Sequence, residues 1–298
     1  MIQIQSLSHC YPGSDIAALQ SVSLDIRPGE CWGLLGHNGA GKTTLMSLLA
    51  GLQEVQQGQV LFHGVEIGRL ARDERQKIGL VPQDFAFYPQ LSVWDNLLFF
   101  ASLYGVTDKA YLQSLLDKAG LADYRNRAAK QLSGGLKRRL NFAIGLVNRP
   151  KLVFLDEITV GIDPQSRRFI LQSVADLTRA GITVVYTSHY LPEIEQLCSH
   201  IALLDKGRLV YQGGLADLLQ AQEPGVRFMT EPAPDDAVLQ QWQAKDIGRN
   251  MWEAAATAEQ AAALYGQLRQ SGVEIRYFQQ GYGSLEAFYL DFLRRTAA

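Results

Sequence analysis

Residues 36–43 read Gly-His-Asn-Gly-Ala-Gly-Lys-Thr and fit the phosphate-binding pattern G-x-x-x-x-G-K-[ST] at every fixed position. The apolar run from Cys31 to Leu35 predicts a buried strand before this loop, and residues 44–50 predict a helix after it. Strand, glycine loop and helix together are the setting in which the pattern binds phosphate. We therefore expect an α/β fold with a P-loop NTPase core and a parallel sheet.

Each residue type in the loop has a physical role. Gly36, Gly39 and Gly41 let the backbone bend and bring its N–H groups against phosphate oxygens, at the positive end of the helix. Lys42 supplies a charge for the β- and γ-phosphates, and the Thr43 hydroxyl can ligate Mg²⁺. A glycine-rich turn with a chance lysine is the alternative, which the flanking strand and helix disfavour. The other expected nucleotide contacts are His37, Asn38, Ala40 and Thr44.

A second chemical signal is a pair of acids at the end of an apolar run. Residues 152–155 are Leu-Val-Phe-Leu, which is typical of a buried parallel strand, and Asp156 and Glu157 follow. Asp156 can hold the water shell of Mg²⁺, and Glu157 can orient or deprotonate an attacking water. Two solvated acids at a strand end are the simpler alternative.

A second glycine cradle opens the helix predicted from Gly134 to Val147. Ser133, Gly134 and Gly135 at such a helix N-terminus form another potential anion site, with Ser133 able to bond a phosphate. One nucleotide rarely needs two such cradles on one chain.

Taken together, these motifs resemble the ABC-type ATPases, the nucleotide-binding subunits of ABC transporters, over about residues 1–220. The resemblance implies ATP and Mg²⁺ as cofactors. It also implies a homodimer, in which each ATP lies between the P-loop of one copy and the Leu-Ser-Gly-Gly stretch of the other.

Further residues take their roles from the resemblance. Tyr11 matches the aromatic ring that stacks on adenine, and Gln83 the glutamine that senses the γ-phosphate and the transmembrane partner. Asp163 matches the aspartate that crosses the dimer interface, and His189 the switch histidine that contacts the γ-phosphate. The implied catalytic set is Lys42, Gln83, Glu157 and His189, and the implied Mg²⁺ set is Thr43, Gln83 and Asp156.

Two positions depart from the family pattern. Many members have glutamine where Leu136 stands and proline where Ile158 stands. Neither position supplies a catalytic group, so ATP hydrolysis is expected to survive, while Leu136 can alter how the signature helix docks across the dimer.

Two domains are expected, an ABC-type ATP-binding domain at 1–220 and a small C-terminal accessory or regulatory α/β module at 226–298. Short alternating runs at 2–7, 22–26 and 60–62 predict an antiparallel β subdomain. Helical patterns at 92–104 and 108–119 predict a helical subdomain.

Composition limits the partners and the location. A net charge of −2 lacks the basic footprint of nucleic-acid binding. The uncharged stretch at 96–107 is far shorter than the roughly 18 residues of a membrane span. Cys10, Cys31 and Cys198 are widely spaced and indicate no disulfide framework. We expect peripheral association with the cytoplasmic face of the inner (plasma) membrane, through a transmembrane permease.

Short stretches of the sequence indicate the branch of the family. Residues 87–93, 136–139 and 161–164 and the Ser-Leu-Glu of residues 284–286 look like exporters of drugs, polysaccharides or lipids. Three alternatives stay open. One is the subunit that serves copper maturation of nitrous oxide reductase, the second is a subunit of an importer, and the third is a non-transport ABC ATPase that acts on ribosome or nucleic acid. We hypothesise that Phe85, Phe87 and Tyr88 line the groove that receives the permease.

Overall fold

The computed structural model describes residues 1–220, 225–248, 250–281 and 284–297, and it divides the chain into two compact units, Met1–Gly214 and Leu215–Ala298. The strands are β1 (Ile2–Cys10), β2 (Ala17–Ile26), β3 (Cys31–Leu35), β4 (Gln57–Phe62), β5 (Val65–Glu66), β6 (Ile78–Val81), β7 (Leu152–Asp156), β8 (Thr183–Thr187), β9 (His200–Asp205), β10 (Arg208–Gly214), β11 (Gly225–Glu231), β12 (Lys245–Gly248), β13 (Met251–Ala255) and β14 (Glu274–Gly281). The α-helices are α1 (Lys42–Leu49), α2 (Arg72–Arg75), α3 (Val93–Leu103), α4 (Lys109–Lys118), α5 (Gly134–Ile144), α6 (Pro164–Arg179), α7 (Leu191–Leu197), α8 (Leu215–Gln220), α9 (Asp236–Gln241), α10 (Ala258–Gln270) and α11 (Leu285–Ala297).

The first unit is built on a six-stranded sheet in the order β10-β9-β3-β8-β7-β6. Strands β9, β3, β8, β7 and β6 are parallel, which confirms the predicted parallel core, and β10 runs antiparallel to β9. Every residue of β3, β7 and β8 is buried, as expected where both faces of a parallel sheet are covered. Because β3, β8, β7 and β6 are neighbours, the loops after their carboxyl ends meet at one edge. Two strands of this sheet, β9 and β10, lie outside the predictions.

The predicted antiparallel subdomain is confirmed as a four-stranded sheet in the order β2-β1-β4-β5. Its apolar side chains share one buried cluster with residues of the central sheet and α1, for example Ile4 and Leu24 with Leu34, Leu45 and Phe154. Burial of this cluster stabilises the fold and holds β1 beside the P-loop helix.

The helical region between β6 and β7 is formed by α3, α4 and α5. Hydroxyl or carboxylate caps start these helices, since Ser92 accepts from Asp95 N and Asp108 accepts from Tyr111 N. Helix α5 ends at Ile144, three residues before the predicted end. Gly145 follows it, where an added Cβ would lie 2.4 Å from a Val81 methyl carbon, so only glycine allows this close approach.

The second unit contains a sheet in the order β12-β13-β11-β14, with every pair antiparallel. The succession β11-α9-β12-β13-α10-β14 is the split βαβ arrangement and confirms the predicted α/β module. Its core joins sheet and helix side chains such as Phe228, Trp252 and Leu264. Of the predicted linker at 221–225, only Gly225 falls within the described residues. Among those residues no helix is both long and apolar enough to cross a membrane.

Candidate nucleotide-binding site

The P-loop, residues 36–43, joins β3 to α1 and is threaded closely between neighbouring backbones. A Cβ on Gly36 would lie 2.5 Å from the Leu204 carbonyl oxygen, and one on Gly41 would lie 2.6 Å from the Ala18 carbonyl oxygen. Gly41 has φ 105°, a conformation that a side chain strongly disfavours. The crown of the loop, His37, Asn38 and Gly39, is exposed, whereas Ala40 is buried.

Lys42, the first residue of α1, folds back along this loop. Its Nζ donates to the carbonyl oxygens of Gly36, at 2.7 Å, and His37, at 3.1 Å. Burial lowers the Lys42 pKa, and the nearby carboxylates of Glu157 and Asp156 oppose that shift. The loop therefore holds a poorly hydrated cation, which gains interaction energy when phosphate oxygens arrive.

Asp156 ends β7 as a buried carboxylate between two hydroxyls. Thr187 Oγ1 donates to Asp156 Oδ1 at 2.7 Å, and Thr43 Oγ1 donates to Asp156 Oδ2 at 3.4 Å. Hydroxyl and carboxylate oxygens are the ligands that Mg²⁺ prefers, usually together with substrate phosphates. This donor set at the end of the P-loop therefore fits the ion.

Glu157 and His189 meet at the same edge of the sheet, after β7 and β8. His189 Nε2 lies 2.7 Å from Glu157 Oε1, and the Glu157 side chain is 12% exposed against 46% for His189. The Glu157 backbone has φ 47°, and its N–H donates to Thr187 Oγ1 at 2.9 Å. A non-glycine residue in this left-handed region is costly, and such residues are typical of functional sites.

Tyr11 follows β1 and reaches the P-loop helix through its hydroxyl. The Tyr11 oxygen lies 3.1 Å from Thr44 Oγ1 and accepts from Gln53 Nε2 at 3.3 Å. The buried imidazole of His9 stands edge-on to the Tyr11 ring, with centroids 5.0 Å apart. Tyr11 keeps 41% of its surface exposed, so an aromatic face is available near the nucleotide loop.

Gln83 lies two residues beyond β6, and its backbone is held by α5. Its carbonyl oxygen accepts from Arg138 Nη1 at 2.7 Å. Asn141 accepts from Ala86 N at 2.9 Å and donates to the Pro82 carbonyl oxygen at 3.0 Å. Helix α5 therefore holds the loop around Gln83, residues 82–86, through direct hydrogen bonds.

Arg138 and Asn141 were missed as functional candidates, although both are almost fully buried. The helix predicted from Gly134 to Val147 includes Leu136, the position that departs from the family pattern. In the structure Leu136 is only half-buried. The sequence signal for them is the i, i+3 spacing of an arginine and an asparagine, which puts both on one face of the helix that follows the glycine cradle.

The second cradle, Ser133 to Gly135, lies at the start of α5 and contacts α6. Ser133 caps α5 by accepting from Leu136 N at 3.4 Å, and both Ser133 and Gly134 are exposed. A Cβ on Gly135 would lie 1.9 Å from Ser166 Oγ and 2.7 Å from Asp163 Oδ2. Asp163 itself caps α6 by accepting from Ser166 N at 2.8 Å. Within one chain, these residues contact one another, while Lys42, Thr43, Asp156, Glu157 and His189 form a separate group.

The aromatic groove hypothesis needs one correction. Phe85 and Tyr88 are 43% and 49% exposed, but Phe87 is only 9% exposed and belongs to the interior. Bends at Gln83, Asp84 and Phe87 break the alternation of a strand, so Phe87 is buried between exposed neighbours, and its ring centroid lies 5.4 Å from that of Phe85.

Comparison with known proteins finds relatives over most of the chain. A family model described as ABC transporter matches residues 19–160. The linearmycin resistance ATP-binding protein LnrL of Bacillus subtilis is 40% identical over 221 residues, covering 73% of this chain and 70% of LnrL. The Nod factor export ATP-binding protein I of Cupriavidus metallidurans is 35% identical over 225 residues, covering 74% of each chain.

Solved structures give the same class. The ATP-binding cassette MJ0796, in a dimeric post-hydrolysis state bound to ADP and Pi, matches with a TM-score of 0.66 and 26% identity over 72% of this chain and 99% of that chain. The fold is that of an ATP-binding cassette ATPase. The chain belongs to the family of ABC transporter ATP-binding proteins.

Proposed function

We propose that this protein is the ATP-hydrolysing subunit of an ABC exporter, which energises a separate transmembrane permease through ATP-driven pairing of two copies. The observation that carries the proposal is the convergence of Lys42, Asp156, Glu157 and His189 at the carboxyl edge of one parallel sheet. Parallel-sheet nucleotide enzymes bind their ligand at this edge.

In this proposal the P-loop binds the ATP phosphates. Backbone N–H groups at Gly36 to Thr43, the N-terminus of α1 and the Lys42 cation provide the positive field. Tyr11 offers its exposed ring face to adenine, and its hydroxyl contact with Thr44 keeps that ring beside the helix that binds the phosphates.

Thr43, Asp156 and Gln83 would bind Mg²⁺ together with the ATP phosphates. Among the described residues no group of three or more His, Cys, Asp or Glu side chains could hold a metal ion. A cation here would therefore depend on the Thr43 hydroxyl, the Asp156 carboxylate and the Gln83 amide together with the nucleotide. When bound, Mg²⁺ neutralises charge on the β- and γ-phosphate oxygens.

Glu157 is the residue proposed to orient the attacking water and accept its proton. His189 contacts the γ-phosphate in this proposal, and its 2.7 Å contact with Glu157 keeps the carboxylate in one orientation. The paired side chains couple the presence of nucleotide to the position of the base.

The homodimer would complete each site. Ser133 and Gly134 leave an exposed helix N-terminus at the surface, with Asp163 beside it, and such a terminus suits phosphate oxygens from a second copy. The dimeric state of the MJ0796 cassette supports this arrangement.

The export direction is supported by the names of the relatives, one a resistance protein and one an export protein. In this proposal the chain associates peripherally with the cytoplasmic face of the inner membrane through its permease and binds no nucleic acid.

Everted membrane vesicles from the native host provide the test of export. Under the proposal, MgATP drives a labelled candidate substrate into vesicles that carry the wild-type chain and not into vesicles that carry Glu157→Gln. ATP-driven loss of preloaded compound would instead indicate an importer, and co-sedimentation with ribosomes rather than membranes would overturn transport.

A further inference from the structure

Glu193, on α7, is a buried carboxylate that receives three hydroxyl donors. It is 2% exposed, and its Oε2 accepts from Thr159 at 2.8 Å, Tyr186 at 2.6 Å and Ser188 at 2.7 Å. A carboxylate accepts hydrogen bonds only, so three converging O–H donors match its chemistry and not that of a neutral amide. Burial and the Glu193 charge raise the pKa of Tyr186, which keeps this hydroxyl protonated as a donor.

The charge of Glu193 is balanced from α6. Arg167 Nε lies 3.5 Å from Glu193 Oε1, and neither atom has a hydrogen bond among the described residues. Taking a carboxylate out of water costs free energy even when an opposite charge faces it, so Glu193 is retained here at an energetic cost. That cost points to a use beyond filling space.

The hydroxyls that reach Glu193 belong to the two segments that carry the proposed catalytic pair. Thr159 lies two residues after Glu157, and Ser188 directly precedes His189. Ser188 Oγ also accepts from Tyr190 N at 3.0 Å, so the backbone is restrained on both sides of His189. The backbone segments after β7 and β8 are therefore tied to one carboxylate.

We propose that Glu193 is a positioning residue for ATP hydrolysis, which holds the loops of Glu157 and His189 in the register that keeps their side chains in contact. Through Arg167 it also ties this register to α6, the helix that Asp163 caps. The proposal rests on the proposed roles of Glu157 and His189. Glu193 touches neither the nucleotide nor the water in this account and acts only through those two residues.

The test compares Glu193→Gln with Glu195→Gln in the full-length protein. Glu195 is an exposed carboxylate on the same helix, so its exchange is a matched control. Glutamine has one amide oxygen and one amide NH₂, so Glu193→Gln turns an N–H donor toward either the three hydroxyls or Arg167 Nε. We expect kcat to fall on the order of tenfold while KM for ATP stays within about twofold. Glu195→Gln is expected to retain the wild-type kcat and KM.

A double-mutant cycle separates positioning from general destabilisation. In the His189→Ala background, residual hydrolysis of radiolabelled ATP should fall less than about twofold on adding Glu193→Gln, because the contact between Glu157 and His189 that Glu193 maintains is already lost. An equal loss in both backgrounds, or a wild-type kcat for Glu193→Gln, would overturn the proposal.

Two further measurements keep the result interpretable. If Glu193→Gln does not fold, Ser188→Ala removes a single hydroxyl of the network, and a kcat fall of about threefold at unchanged KM is expected; a wild-type kcat would count against positioning. Glu157→Gln is assayed in parallel. Wild-type turnover by Glu157→Gln would refute the proposed function itself, whereas an inactive Glu157→Gln beside a fully active Glu193→Gln refutes only the positioning role.

Discussion

Glu157 combines a left-handed backbone, φ 47°, with a largely buried carboxylate 2.7 Å from His189. The backbone conformation costs about 1–3 kcal/mol at a non-glycine residue. The hydrogen bond from its N–H to Thr187 and the contact with His189 help to hold this conformation. The residue is thus held in an unfavourable conformation at the point where the chemistry is proposed.

Replacing Glu157 by glutamine tests this role. Glutamine keeps the size and the conformational demand but removes the base, so hydrolysis should fall at least about a hundredfold while MgATP still binds. Lys42→Ala is the contrasting variant, because it removes the phosphate charge and should lose ATP affinity itself. Phosphate release and equilibrium nucleotide binding distinguish the two. Rapid turnover by Glu157→Gln would contradict the assignment.

At the scale of elements, the starts of α5 and α6 are packed against each other through Gly135. A side chain there would meet Ser166 and Asp163, whereas Gly134 has no atom within 4 Å of its would-be Cβ. The two adjacent glycines therefore have different reasons to be present: Gly135 permits close packing, and Gly134 leaves the helix end open.

Gly135→Ala and Gly134→Ala form a matched pair. Overpacking at Gly135 should lower the free energy of unfolding by about 1–3 kcal/mol, since Ser166 and the α6 cap must shift. Gly134→Ala should leave it unchanged or raise it by up to about 1 kcal/mol, because alanine favours helix. Denaturant unfolding of nucleotide-free protein measures both. Equal losses would show that Gly135 is not confined as described.

The cap of α6 predicts a pH dependence. The Ser166 backbone N–H, and then its hydroxyl, hold the pKa of Asp163 below its ordinary value. A carboxyl group whose pKa is depressed in the folded state stabilises above its unfolded pKa, about 3.9, and this contribution is lost as pH falls through the folded value.

Asp163→Asn keeps a capping oxygen that does not titrate. The stability advantage of the wild type over Asp163→Asn should therefore be present at pH 6 and shrink as the pH falls below about 4. Thermal unfolding of both proteins across this range measures the difference. A difference that grows toward acid would show that the carboxylate form is not the favoured cap.

At the scale of the whole molecule, the proposed dimer depends on the exposed start of α5. Ser133→Arg places a long cation where a second copy should dock, so the ATP-bound Glu157→Gln protein should stay monomeric when it also carries Ser133→Arg. Nucleotide binding by the monomer should survive, because Ser133 belongs to the partner's site in this arrangement. Light scattering with and without MgATP is the measurement, and an undiminished dimer would contradict it.

The permease surface is tested by side chains of opposite burial. The double variant Phe85→Ser, Tyr88→Ser replaces two exposed rings. Less of this variant than of the wild type should co-purify with detergent-solubilised membrane proteins, while its melting temperature stays nearly unchanged. Phe87→Ser empties a buried site and should cost about 3–5 kcal/mol, the range for removing a core aromatic. Unchanged membrane recovery for the double variant would exclude this surface.

Much of the fold could be predicted because its signals are local. The β3 strand has the predicted bounds, and the strand ending in Asp156 and the helices capped by Ser92 and Asp108 were found within a residue or two. The β9–β10 hairpin was missed although residues 201–204 are a continuous apolar run before a turn at Lys206 and Gly207. The strand β12 is exposed along its whole length, so its sequence has no alternation of apolar and polar residues that would predict it.

Local patterns in the sequence determine where strands end and helices begin and which residue types lie there. They can do so because the periodicity of apolar residues, helix capping and the residue preferences of loops each act over a few residues. Contacts between distant segments depend on the order of strands in the sheet. That order places Arg138 and Asn141, both buried, against the loop around Gln83. It brings the Cys31 and Cys198 thiols to 3.6 Å although 167 positions separate them. It also gathers three hydroxyls around Glu193, because α7 lies beside β8 and the segments that follow β7 and β8, where one carboxylate becomes their common neighbour.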